Sequence, residues 1–470
     1  MPAPALEPIT PIPDAWVDRT LLAGPHDQPC LHLGTPLDRG TLRTLVDERR
    51  TQLAHAGLGP GGTLALHLPP SVAYVTTLLA AWQCGAQVAL LDYRLTAREV
   101  ARAHERLAPQ LSVEPTNAPE GALRGFFDTD AHVRTHDDGR PAASSHALIQ
   151  LSSGSTGPSK IIGRSAENVT TELRRYAVLD GFPRSGERVV VTASPLHVLG
   201  LVGGLLYSLH AGVEMVVPAR LTVDGILRAV ALRDAPTTLL GVPFHAEVLA
   251  GVDQPRALPG LRRMITGGEP VRPSVWEAFT KRYQVPLGSM YGMTEAGVIA
   301  TDLDGRHRPA HRPVPGLGVR VDDGEILLGL PESPYAGDVA PGRWADGWLR
   351  THDAGTFDPA TGLLQVHGRL DSQVSVGGLK VDLTEVEETL TGLPGVAEAV
   401  VVHDTAIAAY LTVDPPTPAA ELEKQLADRL AAYKRPRSLR VLPALPRTAT
   451  GKLLRDPAAL RRWAADAEDR

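Results

Sequence analysis

The chain has 470 residues, 43% of them hydrophobic, with 47 basic against 53 acidic side chains and a net charge of −6. That length exceeds a single hydrophobic core, so at least two domains are expected, and the mildly acidic balance excludes a polybasic nucleic-acid or membrane surface. Only Cys30 and Cys84 occur, which excludes a disulfide or zinc framework; with no charged-apolar leader and no long uncharged apolar span, a reducing cytoplasm is the expected compartment.

Apolar periodicity predicts a helix over 42–54, a strand over 63–68, a helix over 72–83 and a strand over 87–91. A further strand over 147–151 leads into a run of small hydroxyl residues and glycines. The same helix–strand alternation resumes with 189–192, 201–210, 214–217, 223–233, 237–240, 263–266 and 273–283, and predicts layered sheets flanked by helices. Residues 347–368 read as strand hairpins. Beyond them come a helix over 383–390, paired strands over 396–403 and 406–413, and a helix over 419–432 after a proline-rich break. The fold class expected is α/β: a large N-terminal domain over 1–369, a hinge at 370–372 and a small mobile α+β lid over 373–470.

The segment Gln150–Ser165, QLSSGSTGPSKIIGRS, follows a strand and has the composition of a phosphate clamp. Gly154 and Gly157 permit close backbone approach, so amides, the hydroxyls of Ser152, Ser153, Ser155 and Thr156, and the Lys160 ammonium can surround polyphosphate oxygens. The spacing is not that of a Walker loop, neither here nor at Gly451-Lys452-Leu453, which sets aside a Ras-type or kinase-type reading. Alone, such a run is more often a flexible surface loop.

Four further motifs follow in order: Tyr291-Gly292-Met293-Thr294-Glu295, Thr351-His352-Asp353, Gly368-Arg369-Leu370-Asp371, and Pro446-Arg447-Thr448-Ala449-Thr450-Gly451-Lys452. In order and spacing the set resembles the adenylate-forming superfamily of acyl- and aryl-CoA synthetases, peptide-synthetase adenylation domains and firefly luciferase. The resemblance implies ATP-dependent activation of a carboxylic acid to an acyl-adenylate, release of pyrophosphate, and transfer to a thiol. It places Lys160 and the loop hydroxyls on the phosphates, Thr294 at the α-phosphate, and Glu295 on a Mg²⁺ ion. Asp353 accepts both ribose hydroxyls, as a two-oxygen acceptor can. Arg369 supports ribose or phosphate, Tyr291 and Gly292 face adenine, and the backbone of Gly267, Gly268 and Glu269 lines the adenine pocket. Lys452 is the mobile cation that bridges the carboxylate and the α-phosphate. Asp371 marks the hinge, and Gly377, Gly378 and Lys380 line a tunnel for the thiol. Taken singly, each has a plainer reading, such as a surface ion pair, a buried aromatic or a tight turn; their joint order carries the resemblance.

The acid end is read from Pro195-Leu196-His197-Val198-Leu199-Gly200, where His197 matches a gate beside the carboxylate. No aspartate stands in that stretch to pair an amino group, so a non-amino acid is expected, aromatic or short acyl. Gly200, Gly203, Phe244, His245, Gly292, Met293 and Val298 are further pocket candidates. Three departures stand out: Ser159-Lys160-Ile161 in place of Pro-Lys-Gly, His352 in place of glycine, and Ser375 where lysine is frequent. The expected partners are the small carboxylic acid, ATP, Mg²⁺ and CoA, in a monomer or homodimer with no nucleic acid and no membrane. Two alternatives stay open: an adenylation enzyme that loads the phosphopantetheine of a separate carrier protein, and a catalytically silent nucleotide-binding protein.

Overall fold

Short runs of leucine and β-branched residues form strands that are buried along their whole length. Arg188–Val191, Glu214–Val216 and Thr237–Gly241 are buried at every position, the pattern of parallel strands covered on both faces. They lie in a 14-stranded sheet whose parallel stretch runs, in spatial order, Leu287–Met293, Leu261–Gly267, Thr237–Gly241, Arg188–Val191, Glu214–Val216 and Pro29–Leu33. Gly297–Asp302 then pairs antiparallel with Leu287–Met293. The sheet continues through Ala310–Pro313, Leu363–Arg369, Trp348–Asp358, Glu325–Gly329 and Gly318–Asp322. A six-stranded sheet orders Ala131–Thr135, Leu111–Pro115, Thr63–Leu66, Gln87–Leu90, Leu148–Ser152 and Lys160–Arg164.

This computed structural model describes residues 15–117, 123–152, 160–252, 257–337, 341–370, 372–413, 417–446 and 453–468. The chain divides into two units. The first comprises Met1–Tyr93, Leu107–Leu151 and Ile161–Gly368; the second comprises Arg94–Arg106, Ser152–Lys160 and Arg369–Arg470. The second unit therefore takes in two segments that chain order alone assigns to the large domain. The expected hinge residue Asp371 lies outside the described residues. Among the described residues no helix is long and apolar enough to cross a membrane.

Local signals explain the helices. Ser71 caps Val72–Gln83 by accepting from the Tyr74 amide, and Asp38 caps Arg39–His55 by accepting from Thr41, which satisfies donors that have no partner in the first turn. The two helices pack on each other. Residues 201–210, expected as one element of the alternation, lie instead in a π-helix, Leu199–Leu206, that continues as the α-helix Tyr207–Ala211. Gly200 allows this start: a Cβ there would stand 2.3 Å from the Ser194 carbonyl oxygen. A π-helical turn of this kind is rare and concentrates at functional sites.

Within the second unit, strands Val396–His403, Ile407–Val413 and Ser438–Val441 form one sheet. Alternation sends Ala399, Val401, Ala409 and Leu411 to one face, against Val386, Leu390, Leu422 and Leu426 of the helices Leu383–Thr391 and Ala419–Ala427. Val400, Val402 and Tyr410 go to the other face, against Leu460 and Ala464 of the helix Pro457–Glu468. The helix expected over 419–432 stops at Ala427 because the Arg435 guanidinium donates to the carbonyls of Ala427 and Leu430. Buried Lys434 follows, 3.0 Å from both Glu99 and Glu385.

One buried ion pair in the first unit supports the site. Arg164 Nη2 lies 2.6 Å from Glu172 Oε2, with side chains 4% and 0% exposed, and Glu172 Oε1 accepts from the Val298 amide at 3.0 Å. Removing one member of such a pair leaves an uncompensated buried charge. Glu172→Ala is expected to destabilise the first unit by about 3–5 kcal/mol, read as a lower urea midpoint of the full chain; a loss below about 1 kcal/mol contradicts that role.

Candidate active site

Parallel strands deliver their carboxyl ends to one edge of a sheet, where loops are free to present side chains. Leu261–Gly267 ends at Gly267, whose register partner on Leu287–Met293 is Met290. The next residue, Tyr291, donates its hydroxyl to Asp353 Oδ2 at 2.5 Å. Asp353 lies on Trp348–Asp358 and is 5% exposed. Its amide donates to Thr351 Oγ1 at 3.0 Å, and the Thr351 hydroxyl donates to the Ile326 carbonyl at 2.8 Å. A buried carboxylate is thus held rigidly from two sides. Tyr291, expected as a flat face for adenine, has its polar edge committed to Asp353.

Thr294 and Glu295 stand in the turn between Leu287–Met293 and Gly297–Asp302. The turn rests on the Glu172 pair: Gly297 has φ +74°, and a Cβ there would stand 2.2 Å from the Glu172 carboxylate. Glu295 Oε1 accepts from the Tyr335 hydroxyl at 3.1 Å, and the Tyr335 oxygen accepts from Arg343 Nε at 3.0 Å. Arg343 Nη2 lies 3.9 Å from the same Glu295 oxygen, with both side chains nearly buried. Burial, followed by the Glu295 charge, holds the Tyr335 proton well above the ordinary phenol range. Sequence reasoning missed Tyr335 and Arg343. They belong to no motif, and nothing in the sequence ties Tyr335 to a carboxylate 40 positions away.

Among the described residues no group of three or more His, Cys, Asp or Glu side chains stands together as a metal cage. A magnesium ion does not require one, because it takes one or two carboxylates and leaves its other positions to phosphates and water. Glu295 fits that donor set, since its Oε2 has no hydrogen-bond partner among the described residues.

The remaining candidates fall as follows. Ser153, Gly154, Ser155, Thr156, Gly157, Asp371 and Lys452 lie outside the described residues. Ser152 ends Leu148–Ser152, with its side chain also outside them, and Lys160 opens Lys160–Arg164 half-buried. Gly268 and Glu269 follow the strand that ends at Gly267. In the second unit Arg369 ends Leu363–Arg369, Gly377 and Gly378 form the turn between Gln373–Val376 and Leu379–Asp382, and Lys380 is exposed. Ser375 lies opposite Lys380 across that hairpin.

Residues 22–332 match the AMP-binding enzyme family, and residues 385–452 match the AMP-binding enzyme C-terminal domain. The chain belongs to the AMP-binding enzyme family. It is 27% identical to a feruloyl-CoA synthase of Amycolatopsis sp, over 94% of this chain and 97% of that protein. It is 26% identical to a 3-hydroxybenzoate–CoA ligase of Aromatoleum sp. (strain CIB), over 94% of each. Its fold is that of o-succinylbenzoate CoA synthetase from Bacillus subtilis, solved as a double mutant with a product analogue: TM-score 0.80 at 23% identity, over 96% of this chain and 98% of that one. The adenylate-forming resemblance read from the motifs and the α/β fold, with its large N-terminal and small C-terminal parts, are both borne out.

In this AMP-binding enzyme His197 precedes the π-helix that begins at Leu199. Its side chain is 40% exposed, yet Nε2 is buried, 3.7 Å from Asp92 Oδ2, so the ring presents one edge outward and one inward. That distance is too long for a hydrogen bond. Gln150 Nε2 donates to the Leu196 carbonyl at 3.0 Å and ties the preceding strand to the histidine loop. Gly200 is buried at the start of the π-helix, and Gly292 is the register partner of Val298. Met293 is half-buried, Val298 is fully buried in the main core, and Phe244 is 50% exposed.

His245, beside Phe244, accepts from the Val242 amide through Nδ1 at 3.3 Å. Its ring proton therefore sits on Nε2. Burial pushes its pKa down to about 4. Because the unfolded chain binds this proton more tightly, the contribution of His245 to stability is complete above about 6.5 and is lost as pH falls towards about 4, by about 3 kcal/mol. His245→Asn, whose amide oxygen can still accept from Val242, is expected to flatten that part of the stability–pH curve; parallel curves for the two proteins contradict a neutral buried imidazole. For the nucleotide side, Asp353→Ala is expected to weaken AMP binding in calorimetry by about 10- to 100-fold, the consequence of losing a charged acceptor for two hydroxyls. Unchanged affinity contradicts the ribose role.

Proposed function

We propose that this AMP-binding enzyme joins a carboxylic acid, aromatic or short acyl, to the thiol of CoA in two steps. A carboxylate oxygen attacks the α-phosphorus of ATP, forming the acyl–phosphate bond while the bond to pyrophosphate breaks. The thiol then attacks the carbonyl, the thioester forms, AMP leaves, and the thiol proton passes to solvent. The observation that carries the reading is the Tyr291–Asp353 pair: a buried carboxylate in the middle of Trp348–Asp358, on the same sheet as the strands that flank the Glu295 turn. The relatives named above, both aryl-CoA-forming by name, support an aromatic acid.

Bringing two anions together is the difficulty in the first step, and positioning with charge neutralisation is the answer. In this account Asp353 binds both ribose hydroxyls and Tyr291 fixes the carboxylate. Thr294 contacts the α-phosphate, and Lys160 with the hydroxyls of 152–156 holds the outer phosphates. A magnesium ion held by Glu295 would neutralise phosphate charge. His197 stands at the mouth of the acid pocket, with Asp92 behind it. Lys452 supplies the cation that appears against the transition state, in the arrangement that the motif resemblance implies. Asp371 as hinge and Gly377, Gly378 and Lys380 as the thiol path belong to the same proposal.

The test is acid-dependent ATP–pyrophosphate exchange across a panel of carboxylic acids, followed by thioester formation with CoA and with a holo-carrier protein. Exchange with an aromatic acid and turnover with CoA are expected. Turnover with the carrier alone moves the second step to phosphopantetheine, and no exchange with any acid favours a silent nucleotide binder. Lys452→Ala is expected to lower exchange by about 100-fold or more while AMP affinity stays unchanged, by analogy with one lost oxyanion donor.

A further inference from the structure

Arg343 is nearly buried, and a buried guanidinium has to be paired or it raises the free energy of the fold. The one carboxylate within 4 Å of it, among the described residues, is Glu295, at 3.9 Å from Nη2. The two groups are also joined by a relay: Arg343 Nε donates to the Tyr335 oxygen at 3.0 Å, and Tyr335 donates to Glu295 at 3.1 Å. The same Nη2 reaches the Thr351 carbonyl at 3.4 Å, two residues before Asp353. Thr351 Oγ1 in turn holds the Asp353 amide. One planar cation thus touches both the turn that carries Glu295 and the strand that carries Asp353.

Neither partner comes from the motif segments. Tyr335 lies in the stretch between Glu325–Gly329 and Trp348–Asp358, where it forms an isolated bridge with Ile162, and Arg343 lies next to the short strand Trp344–Ala345. Arg343 is held in place by the Arg350 amide, which donates to its carbonyl at 2.9 Å. Its Nη1 is buried without a hydrogen-bond partner among the described residues. An unsatisfied buried donor is costly, and its retention is understandable if the other two nitrogens have a task that an apolar side chain could not perform.

We propose that Arg343, acting through Tyr335, is a positioning residue that holds the Glu295 carboxylate aimed before any metal arrives, and ties it to the strand of Asp353. The inference rests on Glu295 being the magnesium carboxylate of the proposed reaction. The relay occupies Oε1 and leaves Oε2 for the cation. Without it, Glu295 has to order itself as the ion binds, so the metal is bound less tightly and the phosphates are held less well. This is how outer partners tune a metal ligand that they never touch the metal through. A lysine at 343 keeps the charge, but its donors sit on one nitrogen, whereas the guanidinium reaches Tyr335 from Nε and Thr351 from Nη2.

The experiment uses the full chain with Arg343→Met, Arg343→Lys and Tyr335→Phe, and titrates Mg²⁺ into protein with the non-hydrolysable analogue AMPPNP by calorimetry, beside AMP binding without metal. Expected are a weakening of Mg²⁺-dependent analogue binding by about 10- to 100-fold in Arg343→Met and by about tenfold in Tyr335→Phe, with a partial return in Arg343→Lys. AMP affinity is expected to stay within about twofold in Tyr335→Phe. If Arg343→Met does not fold, Tyr335→Phe, which deletes one oxygen, decides. Mg²⁺ dependence unchanged in Tyr335→Phe, or AMP and Mg²⁺-dependent binding weakened equally, overturns the proposal. Because the readout is binding, absence of acid-dependent exchange in the wild type would count against the reaction and not against Arg343.

Discussion

A buried carboxylate needs a donor, and that requirement organises the first unit around Asp353. The carboxylate is nearly buried, and Tyr291 supplies a hydroxyl at 2.5 Å while Thr351 fixes the Asp353 backbone. Tyr291 can reach it because Leu287–Met293 lies inside the sheet, with a parallel neighbour on one side and an antiparallel neighbour on the other. Those strands pack through buried apolar side chains, among them Leu287, Met290, Met264, Ile265, Val298 and Ile299. That packing fixes the strand, the strand fixes the tyrosine, and the tyrosine orients a two-oxygen acceptor.

Charge is the second organising constraint. Glu172, fully buried and paired with Arg164, accepts from the Val298 amide and lies against Gly297, two residues after Glu295. Glu295 itself is steadied by Tyr335 and Arg343. Two buried ion pairs thus flank one short turn. In water such pairs stabilise little, whereas inside a protein each fixes geometry through the cost of separating its members. A turn loaded in this way is stiff, which suits the role proposed for Glu295, where a carboxylate set in advance needs no reorganisation.

Much of this was legible in the sequence. The strand and helix order followed from apolar periodicity, and the motifs at Tyr291, Thr351 and Gly368 identified the family through their joint order, which no one of them carries alone. The π-helix at Leu199 was not legible: its Gly-Leu-Val-Gly-Gly-Leu run has the composition of an ordinary buried helix, and its geometry follows from a backbone carbonyl at Ser194 that sequence does not reveal. Tyr335 and Arg343 were equally hidden, since a relay between residues 40 positions apart leaves no spacing signal. Helix length failed at Ala427, where the Arg435 side chain from beyond the helix claims the terminal carbonyls. Propensity cannot anticipate a cap donated from outside the segment.

The central claim is that a carboxylate oxygen of the acid becomes bonded to the α-phosphorus of ATP. The most direct measurement is isotopic: an aromatic acid labelled with ¹⁸O in its carboxyl group is turned over with ATP and CoA, and the products are weighed by mass spectrometry. The account predicts one labelled oxygen in AMP and none in pyrophosphate. Unlabelled AMP formed alongside thioester would contradict it.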